Sequence, residues 1–302
     1  MNRDDTRLIA FDLDGTLLTE KKVLTSRTRD VLERAAACGI TLVTTTGRSL
    51  AGIPDAVKVL PGAHYAITAN GAGVYRRIDE SKWQLPDDAV QGLPTYELDP
   101  ETGYELLFEN LMDVPRGIAL MRELGELAIM PDPFIGGKSY IREDKAYLID
   151  QMDVTGEMKA YIRASRIPVP DMESFLSDKK MQKITINFAC GSDGHRIDLN
   201  PAQEILKKYP EFVAVTGGIR NIEVSDIHAT KGDALMTLAN RLGIRAEQII
   251  AFGDSENDNT MLDFAGTGVA MANSLEDTLN TANVVTLSND EEGVADYLEK
   301  LF

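Results

Sequence analysis

The sequence predicts an α/β protein: a parallel sheet with helices on its faces, interrupted by an inserted α+β domain. Three observations carry this expectation. Strand and helix signals alternate over residues 1–80, the same alternation returns after residue 226, and the stretch between holds ten of the chain's twelve prolines. Alternating strands and helices are how βαβ units read in sequence, and a turn-dense stretch between two such halves reads as a separate insertion.

Leu8-Ile9-Ala10-Phe11 is a short apolar run of the kind found in a strand buried on both faces, and it ends in Asp12-Leu13-Asp14-Gly15-Thr16. A helix follows from about Ser26, with Val31, Leu32, Ala35 and Ala36 at helical spacing and Gly39 where a C-cap belongs. Ile40–Thr44 is a β-branched strand leading to Thr46-Gly47-Arg48, and His64–Thr68 is a third strand ending at Asn70-Gly71. Near the C-terminus, Lys231–Arg241 reads as a helix with Ala234, Leu235, Leu238 and Ala239 on one face and Gly243 closing it. Gln248–Phe252 is a strand ending in Gly253-Asp254, a short helix carries Met261 and Leu262, and two short strands follow at Gly268–Met271 and Val284–Leu287. In the middle, Glu105–Phe108 and Lys183–Phe188 read as strands, with helices near 115–129 and 200–209. The expected domains are therefore a discontinuous core, 1–84 and 226–302, and an insertion, 85–225.

Composition narrows the function. The 302 residues carry 31 Lys+Arg against 48 Asp+Glu, a formal net charge of −17. That balance argues against a general nucleic-acid binder or a binder of anionic membranes, both of which need a cationic face. It does not exclude an anionic substrate, because a bound metal ion supplies positive charge locally. The N-terminus is polar, no apolar run approaches the ~18 residues of a membrane span, and two cysteines cannot form a disulfide framework. The expectation is a cytoplasmic protein with ordinary buried thiols at Cys38 and Cys190. The oligomeric state is not legible.

Open α/β sheets bind ligands at the carboxyl ends of their strands. That edge is expected to hold Asp12 and Asp14, Thr46 and Arg48, Asn70, Lys231 at a helix start, and Asp254, Asn257 and Asp258. Carboxylates converging in one place repel each other unless a hard divalent cation sits among them, and such a donor set suits Mg²⁺ or Mn²⁺. Singly, each residue has a plainer reading: Asp-Gly after a strand is a turn, Lys231 is a solvated lysine, and Asp254 is a helix cap. Turns and caps do not explain why the other strand ends carry these residue types.

Four ordered segments carry a resemblance: Asp12-Leu-Asp14-Gly15-Thr16, Thr45-Thr46-Gly47-Arg48, Lys231-Gly232 and Gly253-Asp254-Ser255-Glu256-Asn257-Asp258. Together they resemble the haloacid dehalogenase (HAD) superfamily of phosphohydrolases. The large insertion between the second and third segments, with the tail Gly268–Asn273 and Asn289–Val294, is similar to its Cof-type branch. The resemblance implies a Rossmann-like core with an α+β cap, and a phosphatase acting on a small phosphomonoester such as a sugar phosphate. It implies Asp12 as the nucleophile that forms an aspartyl-phosphate and Asp14 as general acid and base. Mg²⁺ would be held by Asp12, the Asp14 backbone carbonyl and Asp254. Thr46, Gly47, Lys231 and Asn257 would bind phosphate, with Asp258, Arg48 and Asn70 in support.

Two other readings share these residues: a phosphotransferase or phosphomutase using the same aspartyl-phosphate, and a non-enzymatic metabolite-binding protein. The second would be marked by loss of Asp12, Asp14, Lys231 or Asp254, and all four are present. Gly137-Lys138-Ser139 lacks the earlier glycine of a phosphate-binding P-loop, and His64, His195 and His228 lack metal spacing. Within the insertion, Lys138, Arg142, Arg163 and Arg166 are candidate contacts for the substrate, against the plainer reading of solvated surface charge.

Overall fold

The apolar run Leu8–Phe11 lies fully buried at the centre of the first sheet. The computed structural model describes residues 3, 5–78, 103–216 and 221–302. In chain order the strands are β1 (Leu8–Phe11), β2 (Thr41–Thr45), β3 (Ala63–Thr68), β4 (Gly73–Arg77), β5 (Tyr104–Glu109), β6 (Ile129–Ile135), β7 (Lys138–Arg142), β8 (Arg166–Val169), β9 (Lys183–Phe188), β10 (Phe212–Thr216), β11 (Ile222–Asp226), β12 (Ile249–Gly253), β13 (Thr267–Ala270) and β14 (Val284–Val285).

The chain divides into two compact units, Met1–Glu109 with Thr230–Phe302, and Asn110–Ala229. The joins read from sequence stood at 84/85, outside the described residues, and at 225/226.

The first unit's sheet has the order β14-β13-β12-β1-β2-β3-β4-β5. Its pairs from β14 through β3 are parallel, and β4 and β5 add an antiparallel edge. From β1 the chain leaves to β2 on one side while β12 pairs on the other, so the strand order reverses at β1. In such sheets this switch point is where ligands bind. Side-chain alternation along β1 sends Ile9 and Phe11 to one apolar core with Val31, Leu32, Val294 and Leu298, and Leu8 and Ala10 to another with Leu235, Leu238 and Met261. Burying each such large side chain contributes about 1.5–3 kcal/mol.

The helices on these faces begin and end where the sequence signals stand. Thr25 caps Ser26–Ala37 by accepting from the Thr28 amide, and Thr230 caps Lys231–Leu242 by accepting from the Asp233 amide. Gly243, at φ 68°, ends the second of them in the left-handed conformation a helix stop favours.

The second unit holds a sheet of order β10-β11-β9-β6-β7-β8. Helices Val114–Gly125 and Leu199–Leu206 pack Leu120, Leu124 and Ala202 onto one face, against Ile129, Ile184, Ile186 and Val224. Several expectations need correction here. Glu105–Phe108, read as part of the insertion, pairs with β4 in the first sheet. The helix expected to reach 129 stops at Gly125, because residues from Ile129 onward are taken into β6. Strand β6 itself contains Pro131 and Pro133, which read as turn signals. Alternate prolines lose their N–H on one side of a strand only, and the pairing with β9 is kept.

Cys38 is exposed rather than buried, because it caps the solvent-side end of Ser26–Ala37, and Cys190 is half-buried. Among the described residues no helix is long and apolar enough to cross a membrane.

Candidate active site

The parallel register aligns the ends of β12, β1 and β2, which sets Asp254, Asp12 and Thr46 side by side on one sheet edge. After β1 the chain turns at once: the Leu17 amide donates to the Asp12 carbonyl and the Leu18 amide to the Leu13 carbonyl. Gly15 makes the turn at φ 88°, and a Cβ there would stand 2.4 Å from Asp254 Oδ2, so only glycine fits. Thr16 Oγ1 then donates to Asp254 Oδ1 at 2.8 Å, and Ser255 Oγ to Asp254 Oδ2 at 2.9 Å.

Lys231, at the first turn of its helix, is 1 % exposed and donates to Asp12 Oδ1 at 2.7 Å and Asp258 Oδ1 at 2.6 Å. The other Asp258 oxygen accepts from the Asp254 and Ser255 amides at 3.0 and 3.1 Å. Asp258 thus anchors both Lys231 and the turn that carries Asp254. Burial favours a neutral amine at Lys231, but Asp12 and Asp258 outweigh it and hold the ammonium well above its ordinary value. Burial, opposed by Lys231 and reinforced by the other carboxylates, raises Asp12 well above the carboxylate range. Burial and then Asp258 push Asp254 up to about 6.

These shifts describe a place with surplus negative charge. Asp12, Asp254 and Asp258 each offer an oxygen within 4.8 Å of the others. A hard divalent cation would relieve that repulsion, and all-oxygen donors are what it prefers. Asp258 is held at one oxygen by the Lys231 ammonium and at the other by two backbone amides, whereas Asp254 accepts only from two hydroxyls and Asp12 is held by Lys231 at Oδ1, so Asp12 and Asp254 are the side chains best placed to hold an ion.

Asp14 stands apart from this cluster. Arg48 Nε and Nη2 donate to its two oxygens at 2.6 and 2.7 Å, and Lys22 Nζ reaches Oδ1 at 2.7 Å. Burial alone would raise its carboxyl, but Arg48 and then Lys22 hold it far below the usual carboxylate range. In this arrangement Asp14 is ionised and engaged; giving a proton to a leaving group requires it to let go of both cations.

Thr46 Oγ1 accepts from the Arg48 amide at 3.1 Å, which leaves its hydroxyl proton to donate elsewhere. The Asn70 amide donates to the Thr46 carbonyl, and Asn70 sits at φ 61° beside Ala69 at φ 50°, two non-glycine residues held in the left-handed region. Asn257 Nδ2 donates to Asn70 Oδ1 at 3.1 Å. Gly47 lies in the same loop, between Thr46 and Arg48. All ten residues read as site candidates therefore belong to the first unit, and contacts or adjacency link them along the ends of β1, β2, β3 and β12.

In the second unit three of the four cationic candidates, Arg142, Arg163 and Arg166, are taken up in separate ion pairs. Arg142 pairs with Asp144 and Arg163 with Asp150, both near the surface, whereas Arg166 pairs with the buried Asp132. Sequence reasoning missed Lys22, which lies in no motif. It also gave no role to Asn273 and Asn289. Asn273 Nδ2 donates to the Gly15 carbonyl at 2.8 Å while its Oδ1 accepts from the Asn289 amide, and Asn289 Nδ2 donates to the Leu18 carbonyl at 2.9 Å. Two carboxamides thus clamp the turn that follows Asp12.

Comparison with known proteins agrees with this geometry. A family model described as haloacid dehalogenase-like hydrolase matches residues 9–92 and 136–298. Two Bacillus subtilis proteins, the 5-amino-6-(5-phospho-D-ribitylamino)uracil phosphatase YwtE and the phosphatase YwpJ, are each 28% identical; the matches cover 98% of this chain and 98% and 99% of theirs. The solved structure of a haloacid dehalogenase-like hydrolase from B. subtilis superposes with a TM-score of 0.76 at 27% identity, over 98% of this chain and 100% of that one.

Proposed function

Since the chain belongs to the haloacid dehalogenase-like hydrolases and is a phosphatase of phosphoric monoesters in their Cof-type branch, we propose that it is Mg²⁺-dependent and hydrolyses a small sugar phosphate or related metabolite through an aspartyl-phosphate on Asp12. The observation that carries this is Lys231, fully buried and bridging Asp12 and Asp258. A buried ammonium held on a carboxylate fixes that carboxylate in place and presents positive charge to an incoming phosphate.

In this reading an Asp12 oxygen attacks phosphorus, the P–O bond to the alcohol breaks, and Asp14 supplies the proton the departing alkoxide takes. Asp14 then takes a proton from water, whose oxygen attacks phosphorus and frees Asp12. The ion pairs with Arg48 and Lys22 favour ionised Asp14, which suits the second step; the first needs the carboxyl released and protonated. Thr46, the Gly47 backbone, Lys231 and Asn257 bind the phosphoryl oxygens, with Asn70 orienting Asn257 and Asp258 orienting Lys231. Mg²⁺ would be held by Asp12, Asp254 and the Asp14 backbone carbonyl, and bound there it neutralises phosphoryl charge as a Lewis acid.

The second unit is read as the domain that selects the substrate. A sugar or polyol ester is supported by the relative YwtE, whose name gives its substrate as a phosphate ester on a ribityl chain.

Phosphate release from a panel of sugar phosphates, nucleotides and pyridoxal phosphate tests the proposal. It is run with Mg²⁺, with chelator, and with Asp12→Asn protein. Release from sugar phosphates that both controls abolish is expected. No release from any substrate by a protein that binds Mg²⁺ overturns the reading.

A further inference from the structure

On the helix-covered side of the second unit's sheet, a cavity of about 320 Å³ opens between helix Val114–Gly125, the end of β7 and the short helix Met172–Leu176. All of its lining lies within that unit, and none of it belongs to the site along β1, β2, β3 and β12. Its floor is apolar. Ile118 and Met121 stand one turn apart on one face of the longer helix, and Met172 and Leu176 one turn apart on the shorter. Met121, Met172 and Leu176 are buried members of the helix-side core, and Ile118 packs against it. A concave site of this volume suits a small molecule, for which pockets begin at about 300 Å³. Two methionines, unbranched and polarizable, let such a floor fit a guest of irregular outline.

The rim carries the charge. Arg122 and Glu173 pair from one helix to the other, with Arg122 Nε donating to Glu173 Oε2 at 3.1 Å. Arg142 Nε and Nη2 donate to the two Asp144 oxygens at 3.0 and 2.7 Å. Each guanidinium is thus held by a carboxylate of its own. Among the described residues the Glu126 side chain makes no ion pair or hydrogen bond, and Asp171 gives one oxygen to the Ser174 amide at the start of the short helix. Counting Asp144, two guanidiniums face four carboxylates, so 2 − 4 leaves a surplus of two negative charges beside the apolar floor. Helix Val114–Gly125 also ends here: Glu126 is its C-cap, and a Cβ on Gly125 would stand 2.9 Å from Arg142 Nη1. The last carbonyls of a helix carry partial negative charge, which adds to the surplus.

We propose that this cavity binds a small organic ammonium ion, with its apolar body on Ile118, Met121, Met172 and Leu176 and its N–H donors on Glu126 and the second oxygen of Asp171. An organic anion of the same shape would have to part Arg122 from Glu173 or Arg142 from Asp144, and a neutral molecule would leave the surplus charge uncompensated. A bare metal cation would gain nothing from the apolar floor. The inference is independent of the hydrolytic reading, since it draws on no residue of the first unit.

The test is calorimetric titration of the full-length protein with phenethylammonium and butylammonium, beside phenylacetate and benzyl alcohol, at fixed pH and ionic strength. Glu126→Gln removes one charge and keeps the shape, and Ile118→Trp fills the space above the floor. Glu276→Gln, at an exposed position of the first unit, controls for general attraction to an acidic chain. Melting curves identify any variant that has misfolded. The expected result is saturable binding of phenethylammonium, weaker binding of butylammonium and none of phenylacetate. Affinity should fall about fivefold in Glu126→Gln, the size of one exposed ion pair, vanish in a folded Ile118→Trp, and hold at the wild-type value in Glu276→Gln. No saturable binding of either ammonium, phenylacetate bound as tightly, or an affinity untouched by Glu126→Gln overturns the proposal. Equal weakening by Glu276→Gln overturns it as well, by assigning the binding to the charge of the whole chain. Binding of a lysine-containing peptide but of neither free ammonium would make the cavity part of a protein contact surface, and would likewise overturn it.

Discussion

Asp14 and Asp132 each face an arginine, and the two units treat the same pair in opposite ways. In the first unit Arg48 grips both Asp14 oxygens and Lys22 adds a second cation, so the carboxyl is driven far below its ordinary value. In the second, Arg166 makes one longer contact to Asp132, whose other oxygen has no partner, and burial pushes the carboxyl up to about 7. A carboxylate–arginine pair is therefore not a fixed quantity of stability. Bidentate geometry and access to water decide its sign.

The largest expected effect tests whether the first unit is a reaction site. Asp12→Asn should lower phosphate release by at least about 10³-fold, as loss of a covalent nucleophile does, with the protein still folded by circular dichroism. Release that survives would move the nucleophile elsewhere. Lys231→Met comes next. It leaves Asp12 and Asp258 buried without their shared cation, a loss of about 3–5 kcal/mol for a broken buried pair. Its melting temperature should fall and should recover in part when Mg²⁺ is added, because a cation bound only by the folded state stabilises it by mass action. A variant that melts like the wild type and ignores Mg²⁺ would mean that the cluster carries no surplus charge.

The first unit was legible in the sequence because its residue types are dictated by chemistry at fixed points: the ends of short apolar strands. Asp12, Thr46 and Asp254 stand one step beyond β1, β2 and β12 and Asn70 two steps beyond β3, so finding the strands found the candidate site. Lys22 was not legible, since it reaches Asp14 through the fold of a loop and has no spacing to announce it. Asn273 and Asn289 were visible only as part of a tail, because a backbone carbonyl at Gly15 leaves no trace in sequence. The second unit was less legible still. Pro131 and Pro133 disguised β6 as a turn, and with β6 hidden the pairing of Asp132 with Thr185 was hidden too.

A smaller effect probes that unseen clamp. Asn273→Ala removes the bridge between the Gly15 carbonyl and the Asn289 amide. The turn after Asp12 would keep its two backbone hydrogen bonds but lose its outer support. We expect kcat to fall by about tenfold, the cost of roughly 1.4 kcal/mol in the barrier, with KM little changed, since displacing Asp12, the nucleophile proposed above, harms reaction more than binding. An unchanged kcat would make the clamp structural alone.

The smallest effect returns to the two carboxylates, and its sign differs between them. Burial, only partly offset by Arg166, raises Asp132 from 3.8 in the unfolded chain to about 7 in the folded one. Between those values the folded protein holds a proton the unfolded chain has released, so stability falls as pH rises from about 4 to about 7. Asp14 acts the other way: its folded value lies below the unfolded one, so its contribution is present at neutral pH and is lost as pH falls through the acid range. Asp12 and Asp254, also raised by burial, contribute a decline over the same range, so Asp132→Asn should make the wild type's fall in melting temperature between pH 5 and 7 shallower without abolishing it, and leave the loss at lower pH intact. A slope unchanged from the wild type's would mean that Asp132 is ionised throughout that range, with Arg166 balancing it as fully as Arg48 balances Asp14.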